Sequence, residues 1–346
     1  MEVSQGHSSA VAVAVSGGGD SLMALRLLAA QGRAAFALHA RFVQPREPDL
    51  ETRLSRICQG LGVELQVLDL RQAFQEEVIQ PFVQAYLTGV TPNPCAWCNL
   101  RMKFGVLLQK ARESGAEALA TGHYARRQGE LLQRGLDPAK EQSYFLALLG
   151  RKQVAQACLP LGEWKKEQVR SQLQDQGLEP PAGEESQEIC FVPEQDYRSF
   201  LSRQGVGLPG PGRMLDTSGR SLGRHQGLHC YTIGQRRGLG IAHSEPLYVL
   251  AKDLARNELI IGPARELSSK GFILREPNFV LPRTSWPQQV WVQTNYREQP
   301  VPAELKECPG QWEVRFQARR KPATPGQVAA FYSAQGLLLG GGIIHA

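Results

Sequence analysis

Long apolar runs are absent from this sequence of 346 residues. No stretch of about 18 apolar residues occurs, which is the length that a membrane-spanning helix needs. The first fifteen residues, MEVSQGHSSAVAVAV, contain no lysine or arginine before their short apolar stretch, so they lack the pattern of a secretory signal peptide. We therefore expect a cytoplasmic protein that makes no membrane contact.

The features of a disulfide scaffold are also missing. The chain has seven cysteines, an odd number, and we expect no secretory leader from the pattern of its first residues. Some of these thiols are expected to be reactive or metal-binding, and the rest to be small buried residues. The seven are Cys58, Cys95, Cys98, Cys158, Cys190, Cys230 and Cys308.

Composition allows a sizeable core and an anionic partner. Hydrophobic residues make up 42% of the chain, its formal charge is +6 and its pI is about 9.0. This charge permits RNA binding without requiring it. The basic clusters that RNA would use are Arg126-Arg127, Lys165-Lys166, Arg236-Arg237 and Arg319-Arg320-Lys321.

The first part of the chain alternates short apolar runs with amphipathic stretches. This alternation predicts an α/β fold with a parallel sheet and helices on both faces. The predicted strands are 11–15, 35–40, 64–70 and 117–122, and the predicted helices are 21–31, 50–61, 72–87 and 99–114, the last after a loop over 88–98.

The pattern changes after about residue 201. A segment rich in glycine and proline, 205–212, is typical of a linker, and short strand-like runs follow it. We expect a catalytic domain over 1–204, a small β-rich central domain over 205–267 and a C-terminal β-barrel over 268–346. The strand-like runs are 247–251, 259–261, 289–294, 312–317, 328–331 and 337–339.

A glycine-rich loop, Ser16-Gly-Gly-Gly-Asp-Ser21, lies between the first predicted strand and the first predicted helix. Without Cβ atoms the backbone can approach a ligand closely, and N–H groups at a helix N-terminus favour an anion. The loop lacks the GK[ST] of a Walker A motif and does not fit GxGxxG. It predicts a phosphate site of another type.

Two cysteines lie in Thr91-Pro-Asn-Pro-Cys-Ala-Trp-Cys-Asn99, just before the predicted helix. A helix N-terminus lowers a thiol pKa from about 8.5, and Cys98, at the predicted helix start, is better placed for this than Cys95. A lone CxxC also fits a redox pair or half of a zinc site. A complete zinc site would need two more ligands, and no second CxxC or CxxH follows. Cys190, in Ser186-Gln-Glu-Ile-Cys-Phe191, would by itself be read as a buried structural thiol.

Taken together, several motifs occur in one order from near residue 11 to the C-terminus. They are SGGGDS, TPNPCAWCN, ATGHYAR, EQSYFL, SQEICFV, HQGLHCYTIGQRRGLGI and ATPGQ with LGGGII. The ordered set resembles the tRNA-specific 2-thiouridylase family (MnmA) of the PP-loop ATP pyrophosphatases. This resemblance implies a PP-loop (HUP-like) domain, a small β-rich central domain and a C-terminal β-barrel that contacts tRNA.

The resemblance also implies roles for single residues. Cys98 matches the catalytic nucleophile, and Cys190 matches the cysteine that carries a persulfide and forms a transient disulfide with it. ATP binding is implied for Ala14, Val15, Ser16, Gly17, Gly18, Gly19, Asp20, Ser21, Ala40 and Gly122, with Mg²⁺ near Asp20. Contact with tRNA is implied for Asn93, Pro94, Cys95, His123, Lys140, Glu141, Gln142, Asn295, Tyr296 and Gln327.

The chain departs from the family pattern at three of these positions. The family usually has Asp where this chain has Cys95, Val at Gly19 and Met at Ala40. Three thiols, Cys95, Cys98 and Cys190, could therefore hold an iron–sulfur cluster.

The implied reaction is ATP-dependent. The C2 oxygen of the wobble uridine is adenylated, and sulfur from the persulfide then replaces it, so that a sulfur donor protein is needed as a partner. Two rivals remain at this stage: another PP-loop adenylating enzyme acting on tRNA, and a non-catalytic, zinc-containing RNA-binding protein.

Overall fold

A computed structural model describes residues 10–43, 49–183, 189–192 and 196–345. Three sheets organise these residues: a five-stranded sheet, a four-stranded sheet and an eight-stranded sheet. The strands are β1 Val11–Ala14, β2 Ala34–Arg41, β3 Leu65–Asp69, β4 Ala118–Ala120, β5 Ala125–Gln128, β6 Leu131–Arg134, β7 Ala157–Cys158, β8 Gly212–Leu215, β9 Ser221–His225, β10 Leu247–Asp253, β11 Glu258–Pro263, β12 Ser269–Phe279, β13 Gln289–Gln293, β14 Val301–Cys308, β15 Gln311–Arg320, β16 Val328–Tyr332 and β17 Leu337–His345.

The helices lie almost entirely in the first part of the chain. The α-helices are α1 Gly19–Ala30, α2 Leu50–Gly60, α3 Arg71–Phe74, α4 Gln80–Leu87, α5 Pro94–Trp97, α6 Leu108–Glu113, α7 Arg151–Ala155, α8 Lys166–Asp175 and α9 Tyr197–Arg203. Two π-helical segments, Gln75–Ile79 and Cys98–Leu107, continue α3 into α4 and α5 into α6. Short 3₁₀ turns cover Ser143–Leu146, Leu228–Cys230, Ala264–Glu266 and Arg283–Ser285.

The five-stranded sheet is parallel and has the order β3-β2-β1-β4-β7. Its central strand β1 is buried because Val11, Ala12 and Val13 expose no surface. Helix α1 packs against it through Leu22 and Leu25, which recur at helical spacing. The predicted parallel α/β fold is confirmed.

The four-stranded sheet has the order β10-β11-β8-β9 and follows the glycine- and proline-rich stretch. Met214, Val249, Leu259 and Ile261 form its apolar core. This small β-rich unit agrees with the predicted one.

Six antiparallel strands close into a barrel in the order β12-β15-β14-β13-β16-β17, and β12 pairs again with β17. The predicted C-terminal β-barrel is confirmed, although the sequence pattern missed β12 and β14. It also missed the hairpin of β5 and β6, whose Leu132 pairs with Leu338 of β17. Through this hairpin the first part of the chain is joined to the barrel sheet.

Among the residues that the structure describes, no helix is long and apolar enough to cross a membrane.

Candidate functional site

The glycine-rich loop connects β1 to α1, as predicted. Gly17 has φ +86°, and a Cβ there would lie 2.6 Å from the Leu50 side chain, so only glycine fits. The Ser21 hydroxyl donates to the Gly18 carbonyl at 2.8 Å and accepts the Ser16 N–H at 3.2 Å. These contacts hold the loop across the N-terminus of α1, where backbone N–H groups favour a phosphate.

Gly122 brings the end of β4 against this loop. A Cβ at Gly122 would lie 2.7 Å from the carbonyl carbon of Asp20 and 2.9 Å from the Ser21 nitrogen. Ala14 and Ala40 lie nearby in the sheet, since both pack against the cluster that contains Leu38. The structure therefore groups these ATP-binding candidates at one edge of the parallel sheet.

The Asp20 carboxylate has two partners that the sequence did not reveal. Its Oδ1 accepts the Tyr124 hydroxyl and the Lys166 ammonium, each at 2.7 Å. The side chains of Lys166 and Asp20 are only 12% and 19% exposed. Lys166 opens α8, and its backbone N–H donates to the Asp137 carboxylate at 2.9 Å.

The sequence interpretation counted Lys166 among the surface basic clusters. A usable signal was its position at the start of the helix that follows β7, because the carboxyl ends of parallel strands meet at one edge of a sheet.

The helix that carries the two thiols begins earlier than predicted. It starts at Pro94 and not at Asn99, because the Asn93 side chain accepts the Ala96 N–H at 3.2 Å and so caps it. Proline at the first helical position strengthens this start. Cys95 therefore lies in the first turn, and Cys98 lies one turn further in.

The expectation of a lowered thiol pKa at Cys98 is wrong for this state. Although Cys95 reaches the surface and Cys98 is half-buried, desolvation by the surrounding protein raises the pKa of Cys98 to about 12 and that of Cys95 to about 11. The Lys103 ammonium lowers both pKa values, but by less. Burial outweighs the helix dipole because Cys98 lies past the first turn, where the dipole falls off.

Cys190 lies in the same neighbourhood as these two thiols. A charge on Cys190 raises the pKa of Cys98 and of Cys95, so all three sulfur atoms are close enough to interact electrostatically. Cys190 is exposed, whereas Phe191 beside it is buried and contacts the rings of Phe74 and Phe82. The rest of its motif, residues 186–188, lies outside the described residues.

Lys103 and His123 connect the thiols to the phosphate loop. Lys103 lowers the pKa of buried His123, after desolvation as the larger cause, and the ring of Phe104 lies 6.4 Å from that of His123. The His123 ring shares a 2.7 Å hydrogen bond with the Thr121 hydroxyl. His123 directly follows Gly122, so the thiol cluster and the glycine loop adjoin.

The described residues contain no group of three or more His, Cys, Asp or Glu side chains that could hold a metal ion. Cys95, Cys98 and Cys190 are all among them, so their sulfur atoms do not form a ready cluster site. Neither the zinc reading nor the iron–sulfur reading finds support in this arrangement.

The tRNA-contact candidates form two groups. In the first group, segment 140–142, Glu141 is buried and pairs with Arg134 at 3.3 Å. The Gln142 side chain accepts the Tyr124 N–H at 3.0 Å. Gln142 therefore lies beside Tyr124, which is a partner of Asp20. In the barrel, Asn295 is exposed and Tyr296 packs on Phe145, with ring centroids 4.5 Å apart.

The side-chain amide of Gln327 is hydrogen-bonded within the protein. Its amide donates to the carbonyls of Thr91 and Pro92 at 2.8 and 3.1 Å, next to Asn93 and Pro94.

The basic clusters differ in how far they are available to an anionic partner. Arg236 and Arg237 are exposed in the loop after β9. Arg127 donates to the Ala155 carbonyl, and Arg320 pairs with Glu298 at 2.9 Å. Some members of the basic clusters therefore already hold contacts within the protein, although Arg127 itself is exposed.

The fold has three parts, a parallel sheet with helices followed by two β-rich parts, and each part matches a family profile. Residues 9–194 match a family profile described as the tRNA methyl transferase HUP domain. Residues 198–263 match the tRNA methyl transferase PRC-barrel domain, and residues 269–344 match the aminomethyltransferase β-barrel domain.

Full-length relatives narrow this class. A tRNA-specific 2-thiouridylase MnmA of Nitratidesulfovibrio vulgaris (strain Miyazaki F) is 49% identical over 345 residues, covering 96% of this chain and 98% of that protein. Proteins of the same name from Oleidesulfovibrio alaskensis and Lawsonia intracellularis are 47% and 45% identical, with the same coverage. The chain belongs to the tRNA-specific 2-thiouridylase family.

Proposed function

We propose that this protein is a tRNA-uridine 2-sulfurtransferase, which uses ATP to replace the C2 oxygen of the wobble uridine in tRNA with sulfur. The observation that carries the proposal is that Cys98 packs in the same apolar cluster as Ile189 and Phe191, the neighbours of Cys190 that are distant in sequence. This cluster lies near the Gly122–His123 strand end that contacts the glycine loop. Methyl transfer, which the family profiles mention, would require neither the thiol pair nor a phosphate loop.

The first step is adenylation. The C2 oxygen attacks the α-phosphorus of ATP, pyrophosphate leaves, and the N3 proton of the uracil is released as the C2–O bond becomes single. Loop residues 16–21 and the N-terminus of α1 hold the phosphates. We assign Lys166 to the same site, because its ammonium already lies within the loop's charge network.

A magnesium ion fits this site chemically, because the Asp20 carboxylate and phosphate oxygens are ligands that Mg²⁺ accepts. When bound, the ion would offset negative charge on the phosphates. Asp20 would hold the ion, and the Lys166 ammonium beside it would supply further positive charge to the phosphate site.

The second step is sulfur transfer, for which two balanced routes exist. In one, the terminal sulfur of the Cys190 persulfide attacks C2 and displaces AMP, and Cys98 then attacks the Cys190 sulfur to release 2-thiouridine. In the other, Cys98 attacks first and releases hydrosulfide, which displaces AMP. Both end in a Cys98–Cys190 disulfide that a reductant must reopen.

The raised pKa of Cys98 slows its attack on the Cys190 sulfur, a step that both routes contain; the first route differs in that the persulfide itself attacks C2. A persulfide is more acidic than a thiol, so its terminal sulfur is the better nucleophile available at neutral pH. The proton of Cys98 then passes to the departing thiouridine. Lys103 is the cation that stabilises the Cys98 thiolate when it forms.

The tRNA would be held by shape and phosphate contacts. The candidates are the segment 140–142, the barrel residues Asn295 and Tyr296, and the exposed pair Arg236 and Arg237. We further propose that the catalytic domain covers 1–204, the central domain 205–267 and the barrel 268–346. A sulfur donor protein delivers the persulfide in the cytoplasm.

Nucleoside analysis tests the proposal. The protein is incubated with tRNA, ATP, Mg²⁺ and a persulfide donor, and digested tRNA is examined by mass spectrometry. We expect 2-thiouridine at the wobble position with the intact chain, and none with Cys98→Ser or Cys190→Ser. Full thiolation by either variant would exclude the mechanism, and a methylated product would favour the rival activity. Iron analysis of the active protein separately tests the cluster reading.

A further inference from the structure

The segment immediately before the thiol-bearing helix is held from two sides. We define the junction segment as residues 89–92, which lead into the cap residue Asn93 and the helix start Pro94. The barrel contacts this segment from one side and the central sheet region contacts it from the other. The position of Cys95 and Cys98 therefore depends on both.

The barrel side consists of residues 325–327, which lead into β16. The Thr91 N–H donates to the Pro325 carbonyl at 2.9 Å. The Gln327 amide donates to the carbonyls of Thr91 and Pro92. Gly326 has φ +89°, and a Cβ there would lie 2.9 Å from the Thr91 oxygen, so the two backbones are in direct contact.

The central side adds a second set of contacts. The hydroxyls of Thr91 and Thr232 are hydrogen-bonded at 3.2 Å. The Lys252 ammonium donates to the Gly89 carbonyl at 2.9 Å. Leu254 packs on Gly89, where a Cβ would lie 2.7 Å from its side chain.

We propose that Gln327 is a positioning residue, which fixes the thiol-bearing helix through the carbonyls of Thr91 and Pro92. Its role is to lock the residues just ahead of the Asn93 cap, so that Cys98 lies at a fixed place relative to Cys190. This differs from the tRNA contact that the sequence resemblance implies for Gln327. The inference rests on the proposed function only for its catalytic readout.

The N–H donors of the Gln327 side chain are used within the protein. Gln327 is half-buried, and its side-chain amide donates two hydrogen bonds, both to the junction segment. An amide that donates to two backbone carbonyls has no remaining N–H for a phosphate or a base. Donation from this amide to tRNA would require these bonds to break and would release the helix start, whereas the Gln327 Oε1 keeps its capacity to accept a hydrogen bond.

The test compares Gln327→Met with Gln311→Met. Methionine keeps the length of the side chain, adds no charge and removes the N–H donors. Gln311 is exposed at the start of β15 and provides the same chemical change away from the junction segment. Three quantities are measured: the tRNA dissociation constant, the thiolation rate at saturating tRNA and ATP, and the rate of Cys98 alkylation by iodoacetamide, located by peptide mass mapping.

For Gln327→Met we expect tRNA affinity within about twofold of the parent, a saturated rate lowered about three- to tenfold, and Cys98 alkylation accelerated about threefold, since one or two hydrogen bonds are lost. The Gln311→Met control should change none of these. Weaker tRNA binding with unchanged saturated rate and alkylation would overturn the proposal, because it would show that Gln327 touches tRNA.

A second variant covers the case in which Gln327→Met does not fold. Thr232→Val removes only the hydroxyl contact to Thr91 from the central side and should accelerate Cys98 alkylation in the same direction. An unchanged alkylation rate in a folded Thr232→Val protein would contradict the positioning role of the junction segment. Cys98 alkylation is measured without tRNA or ATP. If the intact chain failed to thiolate tRNA, the proposed function would be excluded, but the alkylation rates of the parent and the variants could still be compared.

Discussion

Replacing Lys166 with methionine removes the cation from a carboxylate that is largely shielded from water. Breaking a fully buried ion pair by removing one partner costs about 3–5 kcal/mol. Because Lys166 and Asp20 retain 12% and 19% of their exposure, and Tyr124 still donates to Asp20, we expect about 2 kcal/mol. For a cooperatively unfolding domain of about 200 residues, a loss of about 2 kcal/mol lowers Tm by about 4–8 °C.

The assay is thermal unfolding of four proteins: the parent, Lys166→Met, Asp20→Asn and the double variant. Asp20→Asn removes the charge that Lys166 neutralises, so the double variant should be more stable than the sum of the two single losses predicts. Lys166→Met should also lower AMP formation about tenfold or more, because a cation near the phosphates is lost. A Lys166→Met protein with parental Tm, or strictly additive losses, would refute the ion-pair reasoning.

Three further predictions follow from the site and its surroundings. Because the pKa of Cys98 is raised to about 12, its alkylation rate should climb steadily between pH 7 and pH 10. Lys103→Gln should slow alkylation at every pH in that range, since Lys103 lowers the pKa of Cys98. A plateau below pH 9 would contradict the raised pKa. Burial lowers the pKa of Lys252 from 10.5 to about 8. Between pH 8 and pH 10.5 the unfolded chain therefore binds more protons than the folded chain, and folding stability should rise with pH. Lys252→Met should lose this gain in Tm, and an equal gain in the parent and the variant would contradict the lowered pKa. Gly122→Ala should weaken ATP binding at least about tenfold, since its Cβ would overlap the Asp20 backbone; calorimetry with unchanged affinity would show that the strand end can move away.

The parallel sheet was predictable because its signals are local. Buried strands such as β1 are short and apolar, and Gly17, Asp20 and Ser21 form a recognisable loop between a strand and a helix. The barrel was predictable in kind but not strand by strand. The pattern missed β14, for example, where Pro302 and charged residues interrupt the apolar alternation.

The site was predictable only in part, because its decisive contacts join distant parts of the chain. The partnership of Lys166 with Asp20 joins the helix after β7 to the helix after β1, two strands away in the sheet. No local pattern separates Lys166 from its exposed neighbour Lys165. The helix start at Pro94 carried a readable signal, asparagine followed by proline, which was outweighed by a predicted loop. The raised pKa of Cys98 depends on burial, and burial comes from tertiary packing rather than from position in the helix.

Disulfide mapping after one turnover tests whether Cys98 attacks the Cys190 sulfur during sulfur transfer. The persulfide-loaded protein is given tRNA, ATP and Mg²⁺ without reductant, then alkylated, digested and mapped by mass spectrometry. We predict one Cys98–Cys190 disulfide for each 2-thiouridine formed, and no such disulfide when Asp20→Ala blocks adenylation. Thiouridine formed while Cys98 and Cys190 stay unlinked, or with the bond between Cys95 and Cys98 instead, would contradict it.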